Sequence, residues 1–262
     1  MSGNEALNLV QERGWRRGLN NMLRAEFGKW WGTRQWWIQS LIWIGVINGI
    51  LAGVLWSSGE VNFIEGIDLY SVFSGLFPAV AVVIILQDAL VGEKESGTAA
   101  WVLSKPVSRV SFVISKLFAN TLGVLVTMIL LPGLIAFLQI SLASGGLLPP
   151  LHFLAGQAVL GINLLLYLSL TLMLGTFFSH RGPVIGIPLA LVFGQQMLLN
   201  IPGAIYVLPW SLAVPVDDSA GSIASALMRG NSPALWSPLY AALILIVVFA
   251  FVGLWRFEKE EL

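Results

Sequence analysis

Six apolar blocks, each long enough to cross a bilayer as a helix, constrain this chain of 262 residues more than any other feature of its sequence. They run approximately from Gln35 to Trp56, Leu69 to Val91, Phe112 to Ile140, Leu151 to Phe178, Val184 to Leu208 and Pro238 to Trp255. A helix rises about 1.5 Å per residue, so roughly 30 Å of hydrocarbon takes about 20 apolar residues. The blocks are continuously apolar rather than alternating, which argues for helices that satisfy their own backbone hydrogen bonds over barrel strands. Charged residues make up 11% of the chain and hydrophobic ones 56%, whereas about 25% of a soluble domain is charged. The expected fold is therefore all-α: a polytopic membrane protein with six transmembrane helices, forming a single domain over residues 1–262.

Orientation follows from Lys and Arg, which cytoplasmic loops retain. Arg13, Arg16, Arg17, Arg24, Lys29 and Arg34 precede the first block. Lys94, Lys105, Arg109 and Lys116 surround the second connection, Arg181 lies in the fourth, and Arg256 and Lys259 follow the last block. All fall on one side. The other side receives Glu60, Glu65, Asp68, Asp217 and Asp218, with Arg229 its only base. Both termini are thus expected in the cytoplasm, in a multi-pass protein of a prokaryotic plasma membrane. Met1 to Gly14 hold no apolar core of the signal-peptide kind, so an uncleaved N-terminus is expected. The formal net charge is zero and the bases are spread among loops, so nucleic acid is not an expected partner.

Residues 14–34 interleave bases with Trp15, Leu19, Met22, Leu23, Phe27, Trp30 and Trp31. Trp favours the headgroup layer and Arg reaches anionic lipid, so an amphipathic interfacial helix on the bilayer surface is predicted. Whether it also contacts a cytoplasmic partner stays open. Gly45, Gly49 and Gly53 recur every fourth residue and predict a close-packing stripe, either within the chain, the favoured reading, or against a second copy. The outer connection, residues 209–237, reads either as an ordinary loop or as a shallow re-entrant hairpin shielded by the neighbouring spans.

Energy-converting chemistry is hard to find. Buried charges in a membrane mark relays and ion sites, but Asp88 and Lys116 are expected near span ends, where snorkelling suffices. The middles of the blocks hold only neutral polar groups, such as Asn48, Gln139, Gln157, Asn163, Gln195, Gln196 and Asn200. His152 and His180 are expected on opposite sides of the bilayer. HExxH, GxSxG and GxxxxGK[ST] are absent, which counts against a metalloprotease, a serine hydrolase and a self-contained ATPase. Cysteine is absent too, and the scattered methionines argue against a copper relay. The expectation is a chain with no catalytic residue, cofactor or metal site of its own.

The second connection stands out. Glu93, Lys94 and Glu95 precede Gly97-Thr98, then comes a short apolar stretch, then Lys105-Pro106-Val107-Ser108-Arg109, with Lys116 further on. Locally, Thr98 is expected to cap a short helix, Pro106 to break it and Ser108 to cap the next long one. Taken together, Glu93, Gly97, Thr98, Pro106, Ser108, Arg109 and Lys116 resemble the motif of the permease subunits of type-2 ATP-binding-cassette exporters. The resemblance covers the whole chain, from the amphipathic N-terminal helix through six spans and a long last outer loop to a charged tail.

That resemblance implies a second permease copy, identical or similar, and a separate nucleotide-binding ATPase subunit that holds ATP and Mg. It makes residues 92–109 a cytoplasmic coupling elbow, with Glu93, Glu95, Gly97, Thr98, Lys105, Pro106, Ser108 and Arg109 as the ATPase-coupling set. Arg109 and Lys116 would anchor the third span at the inner surface. Spans two and five of paired copies would face a substrate path, here placed at Phe73, Phe77, Val80, Gln195, Gln196 and Leu199. An absence of path charges favours an apolar or amphiphilic cargo. Two other functions compete: a membrane scaffold or assembly factor, which would bind partners without ATP dependence, and an intramembrane enzyme, which would hydrolyse a substrate alone.

Overall fold

The computed structural model describes residues 14–57, 63–215 and 221–260. Expectations placed on residues 1–13, on Arg13, Glu60, Asp217 and Asp218, lie outside the described residues. In chain order the helices are α1 (Leu19–Trp31), α2 (Gln35–Trp56), α3 (Phe63–Glu95), α4 (Thr98–Leu103), α5 (Arg109–Ala143), α6 (Pro150–Phe177), α7 (Arg181–Leu198), α8 (Trp210–Ala213), α9 (Ile223–Met228) and α10 (Ser237–Glu258). All regular structure among the described residues is helical. Five of these helices, α2, α3, α5, α6 and α10, are long and apolar enough to cross a membrane.

The fifth expected span departs from its predicted limits of Val184 to Leu208. Its helix α7 has 18 residues and stops at Leu198, giving about 27 Å at the helical rise. The sequence Asn200-Ile201-Pro202-Gly203 ends it: Pro202 disfavours helical backbone at Ile201, and Gly203 takes φ 86. A 3-10 turn at Ala204–Tyr206 continues the path. The segment still travels the length of the bundle. At one end Arg181 meets Glu95 at 3.0 Å, and at the other the Ala213 carbonyl accepts from the Ser71 hydroxyl at 2.8 Å.

α6 is the central helix, with α3, α7, α9 and α10 packed on it. Three π-helical turns interrupt the spans, at Ile44–Asn48, Asp88–Gly92 and Leu125–Leu130. The last precedes Pro132, whose ring and missing N–H break the regular ladder, and a widened turn accommodates the break. The Asn48 side chain crosses from the first π turn to donate to the Pro132 carbonyl at 3.2 Å.

The neutral polar groups mostly tie helix to helix. Gln157 donates to the Tyr70 hydroxyl at 2.6 Å, Asn163 to the Gly75 carbonyl at 3.0 Å and Gln195 to the Tyr167 hydroxyl at 2.8 Å. Each removes from lipid a group that would otherwise be costly to bury.

The described residues of the outer segment, 209–215 and 221–237, fold into the bundle. α8 and α9 are largely buried against α3 and α6. A Cβ at Gly75 would collide with Ala213, and one at Gly156 with Met228 and the Ala224 carbonyl. Arg229 pairs with Asp68 at this end, which explains the one base expected on the acidic side.

The glycine stripe needs correcting. A Cβ at Gly45, Gly49 or Gly53 would meet nothing within 4 Å, so these positions do not pack within the chain. Close intrachain approaches fall instead at positions such as Gly66, Gly75, Gly123, Gly133 and Gly156, because the partner atoms there come from other helices, which the spacing within one block does not register.

Candidate functional site: the inner elbow

Both described ends of the chain gather at the elbow. The Ser108 N–H donates to the Arg17 carbonyl at 3.0 Å, and the Ser111 hydroxyl to the Trp15 carbonyl at 2.6 Å. Arg109 Nη1 donates to the Glu258 carbonyl at 3.0 Å. Residues 14–17, the elbow and the C-terminal end of α10 therefore share one end of the bundle.

Local sequence shapes the elbow itself. Gly97 is the residue before α4, with φ 71 in the left-handed region that favours glycine. Thr98 does not cap α4 as expected. It is the first helical residue, and its hydroxyl pairs with that of Ser96 at 2.9 Å. Pro106 lies beyond the end of α4 at Leu103. Ser108 caps α5, its hydroxyl accepting from the Ser111 N–H at 3.0 Å.

Four charges form a closed ring beneath this turn. Lys116 Nζ contacts Oε1 of Glu26 at 2.9 Å and Oε1 of Glu93 at 2.7 Å. Lys29 Nζ contacts the same two oxygens, at 2.9 and 2.7 Å. Lys116 is 0% exposed, so the expectation that it snorkels from a span end is wrong. Its ammonium is balanced inside the protein, which makes burial tolerable without a path to water. Burial by itself would lower the Lys29 pKa, but Glu26 and then Glu93 outweigh it and hold the ammonium above its ordinary value.

The neighbouring charges attach the elbow to the remaining helices. Lys94 donates to the Gly175 carbonyl at 2.8 Å, at the C-terminal end of α6 where a cation complements the helix dipole. It also pairs with Glu260 at 2.8 Å. Arg181, at the start of α7, reaches Asp88 at 3.1 Å and Glu95 at 3.0 Å. The segment from Asp88 to Glu95 thus holds α1, α5, α6, α7 and the C-terminal tail. A cavity of about 520 Å³ lies beside the ring, bordered by Glu26, Lys29, Trp30, Asp88, Glu93 and Arg181.

The expected coupling residues therefore divide. Glu93 is turned inward into the charge ring, while Glu95, Gly97, Thr98, Lys105 and Pro106 are exposed. Trp101, absent from the expected set, is the most prominent group on the outer side of the elbow. It is 63% exposed, with Lys105 Nζ 3.3 Å from its ring centroid, a cation–π contact.

Glu26 was missed as well. Its signal was present: Met22, Glu26 and Trp30 recur every four residues and form the buried stripe of α1. One carboxylate on an otherwise apolar stripe implies a buried cation opposite.

The expected path residues are only partly brought together. The Phe73 and Phe77 rings lie 5.0 Å apart, and α3 packs on α7. Gln196 is exposed, Val80 and Leu199 are half-buried, and Gln195 is buried against Tyr167. Gln195 and Gln196 therefore face different surroundings, as adjacent helical positions must.

An all-α, multi-pass integral membrane protein whose helices are tied together at one charged elbow is the class that this geometry defines. Residues 60–262 match the family described as ABC-2 family transporter protein, and the chain belongs to that family as an ABC transporter permease. No curated protein matches the chain.

Proposed function

We propose that this chain is the membrane half of an exporter driven by a separate ATPase, which holds ATP and Mg and pushes on the elbow at residues 92–109. The chain itself supplies no catalytic residue. The observation that carries this reading is the arrangement of the elbow: Glu93, Lys94 and Glu95 are tied to five other elements, while Trp101 and Lys105 lie exposed. A push on that outer face would reach the bundle as a rigid displacement. Trp is also the residue type most often found as an interface anchor.

Pairing of two copies completes the proposal. Phe193 and Met197 on α7 are 66% and 79% exposed, and Phe77 on α3 is 40% exposed. These faces would meet in the pair, beside a path lined by Phe73, Phe77, Val80, Gln196 and Leu199. Neutral, largely apolar lining suits an apolar or amphiphilic cargo moved out of the cytoplasm of a prokaryotic cell. The interior hairpin of α8 and α9 would then lie within bilayer depth, shielded by α3 and α6.

Trp101→Ala tests the docking. Because the ring is exposed, the inserted protein should keep its stability, whereas co-purification of the ATPase should weaken by about 2 kcal/mol, roughly thirtyfold. An ATPase bound equally tightly by the variant, or an export assay indifferent to ATP, would overturn the reading in favour of a scaffold.

A further inference from the structure

Helix α1 lies outside the residues matched by the family, 60–262, yet it is fastened along its length to the elbow and α5. At its start, a Cβ on Gly18 would press on Val107, and the Ser108 N–H bonds the Arg17 carbonyl. At its middle, Glu26 enters the charge ring with Lys116 and Glu93. At its end, Trp30 Nε1 donates to Asn120 Oδ1 at 2.9 Å, and the Trp30 ring covers Gly123 so closely that a Cβ there would collide with it. A helix that served only as a lipid anchor would bury its apolar face in the headgroup layer. This one turns Met22, Glu26 and Trp30 into the protein and leaves Trp31 exposed, like Trp15 in the turn before it.

The ring is a costly way to gain stability. Buried ion pairs often do no better than apolar replacements, but losing one member strands a charge. What a closed ring does supply is position. Glu26 comes from α1, Glu93 from the elbow and Lys116 from α5. Sliding any one past the others separates opposite charges where no water reaches Lys116, and attraction there is far stronger than in water.

We propose that Glu26 and Lys116 are positioning residues of the coupling machinery, which lock α1, the elbow and the inner end of α5 into a single moving body. The push on the elbow then also reaches α2 through the short turn after α1. This inference rests on the ATPase-driven reading given above, and its test separates the two.

The chain has no cysteine, so paired spin labels can be introduced without background. Ala25→Cys with Ala100→Cys reports α1 against the elbow, and Ala100→Cys with Asn231→Cys reports the elbow against the outer end. Distances are measured in the full complex with its ATPase, nucleotide-free and with ATP trapped by a hydrolysis-deficient ATPase. The expected result is an unchanged first distance and a shifted second one. In Glu26→Gln the first distance should shift with nucleotide, whereas Glu26→Asp, which keeps the charge, should restore the common motion. A first distance that shifts in the otherwise unaltered chain, or that stays fixed in Glu26→Gln while the second moves, would overturn the single body. Should neither distance respond to ATP, or no ATPase bind, the ATPase-driven reading fails. The lock is then judged on the nucleotide-free chain, where Glu26→Gln must broaden the first distance for the ring to stand.

Discussion

Lys116 occupies a position whose sequence context and tertiary surroundings point in opposite directions. Its place seven residues into α5 suggested a snorkelling base, but the fold seals it and surrounds it with Glu26 and Glu93. Replacing it with Met should leave those carboxylates under-compensated and destabilise the protein by about 3–5 kcal/mol. The double variant Lys116→Met with Glu26→Gln retains the Lys29–Glu93 pair and should recover most of that loss. Thermal unfolding in nanodiscs measures both, and equal melting of the single and double variants would contradict the ring. Ser108 was fully legible, because capping is a local interaction between residues three apart. Thr98 was not, since Gly97 adopts the left-handed backbone that turns the chain into α4.

At the level of elements, the apolar blocks predicted α2, α5, α6 and α10 to within three residues at each end and α3 to within six, because lipid-facing and buried positions are both apolar and only length matters. α7 was over-extended, since the apolarity runs on past Leu198 while Pro202 and Gly203 stop the helix. The packing of α8 on α3 involves close contact at Gly75, where Asn163 also donates to the carbonyl. Gly75→Val should expel Ala213 and cost about 1–3 kcal/mol, the range for overpacking. Limited proteolysis of the outer segment reads this out: faster cleavage in the variant is expected, and an unchanged rate would mean that α8 is held elsewhere.

For the whole molecule, the elbow acts as a hub, and its geometry places residues 14–17, residues 104–109 and the C-terminal end of α10 at one end. With cytoplasmic bases, single cysteines at Ser104 and Lys259 should resist a membrane-impermeant thiol reagent in intact cells, while Asn231→Cys should react. Labelling of all three alike would refute the topology. Pairing through α7 predicts that Met197→Cys, at 79% exposure, forms oxidative dimers in membranes and that Tyr240→Cys on α10, at 59%, does not. The reverse pattern would place the partner on α10.

Composition and block length alone determined that this protein is helical and embedded in lipid, and the Lys and Arg distribution set its expected orientation, since both depend on transfer between water and hydrocarbon and need no knowledge of neighbours. The elbow motif was equally visible, being local. Which charges meet, which glycines are pressed and which face of α1 turns inward were decided only by tertiary structure. Those outcomes depend on side chains such as Glu26 and Lys116, 90 residues apart in the chain and joined only when three elements close on one another.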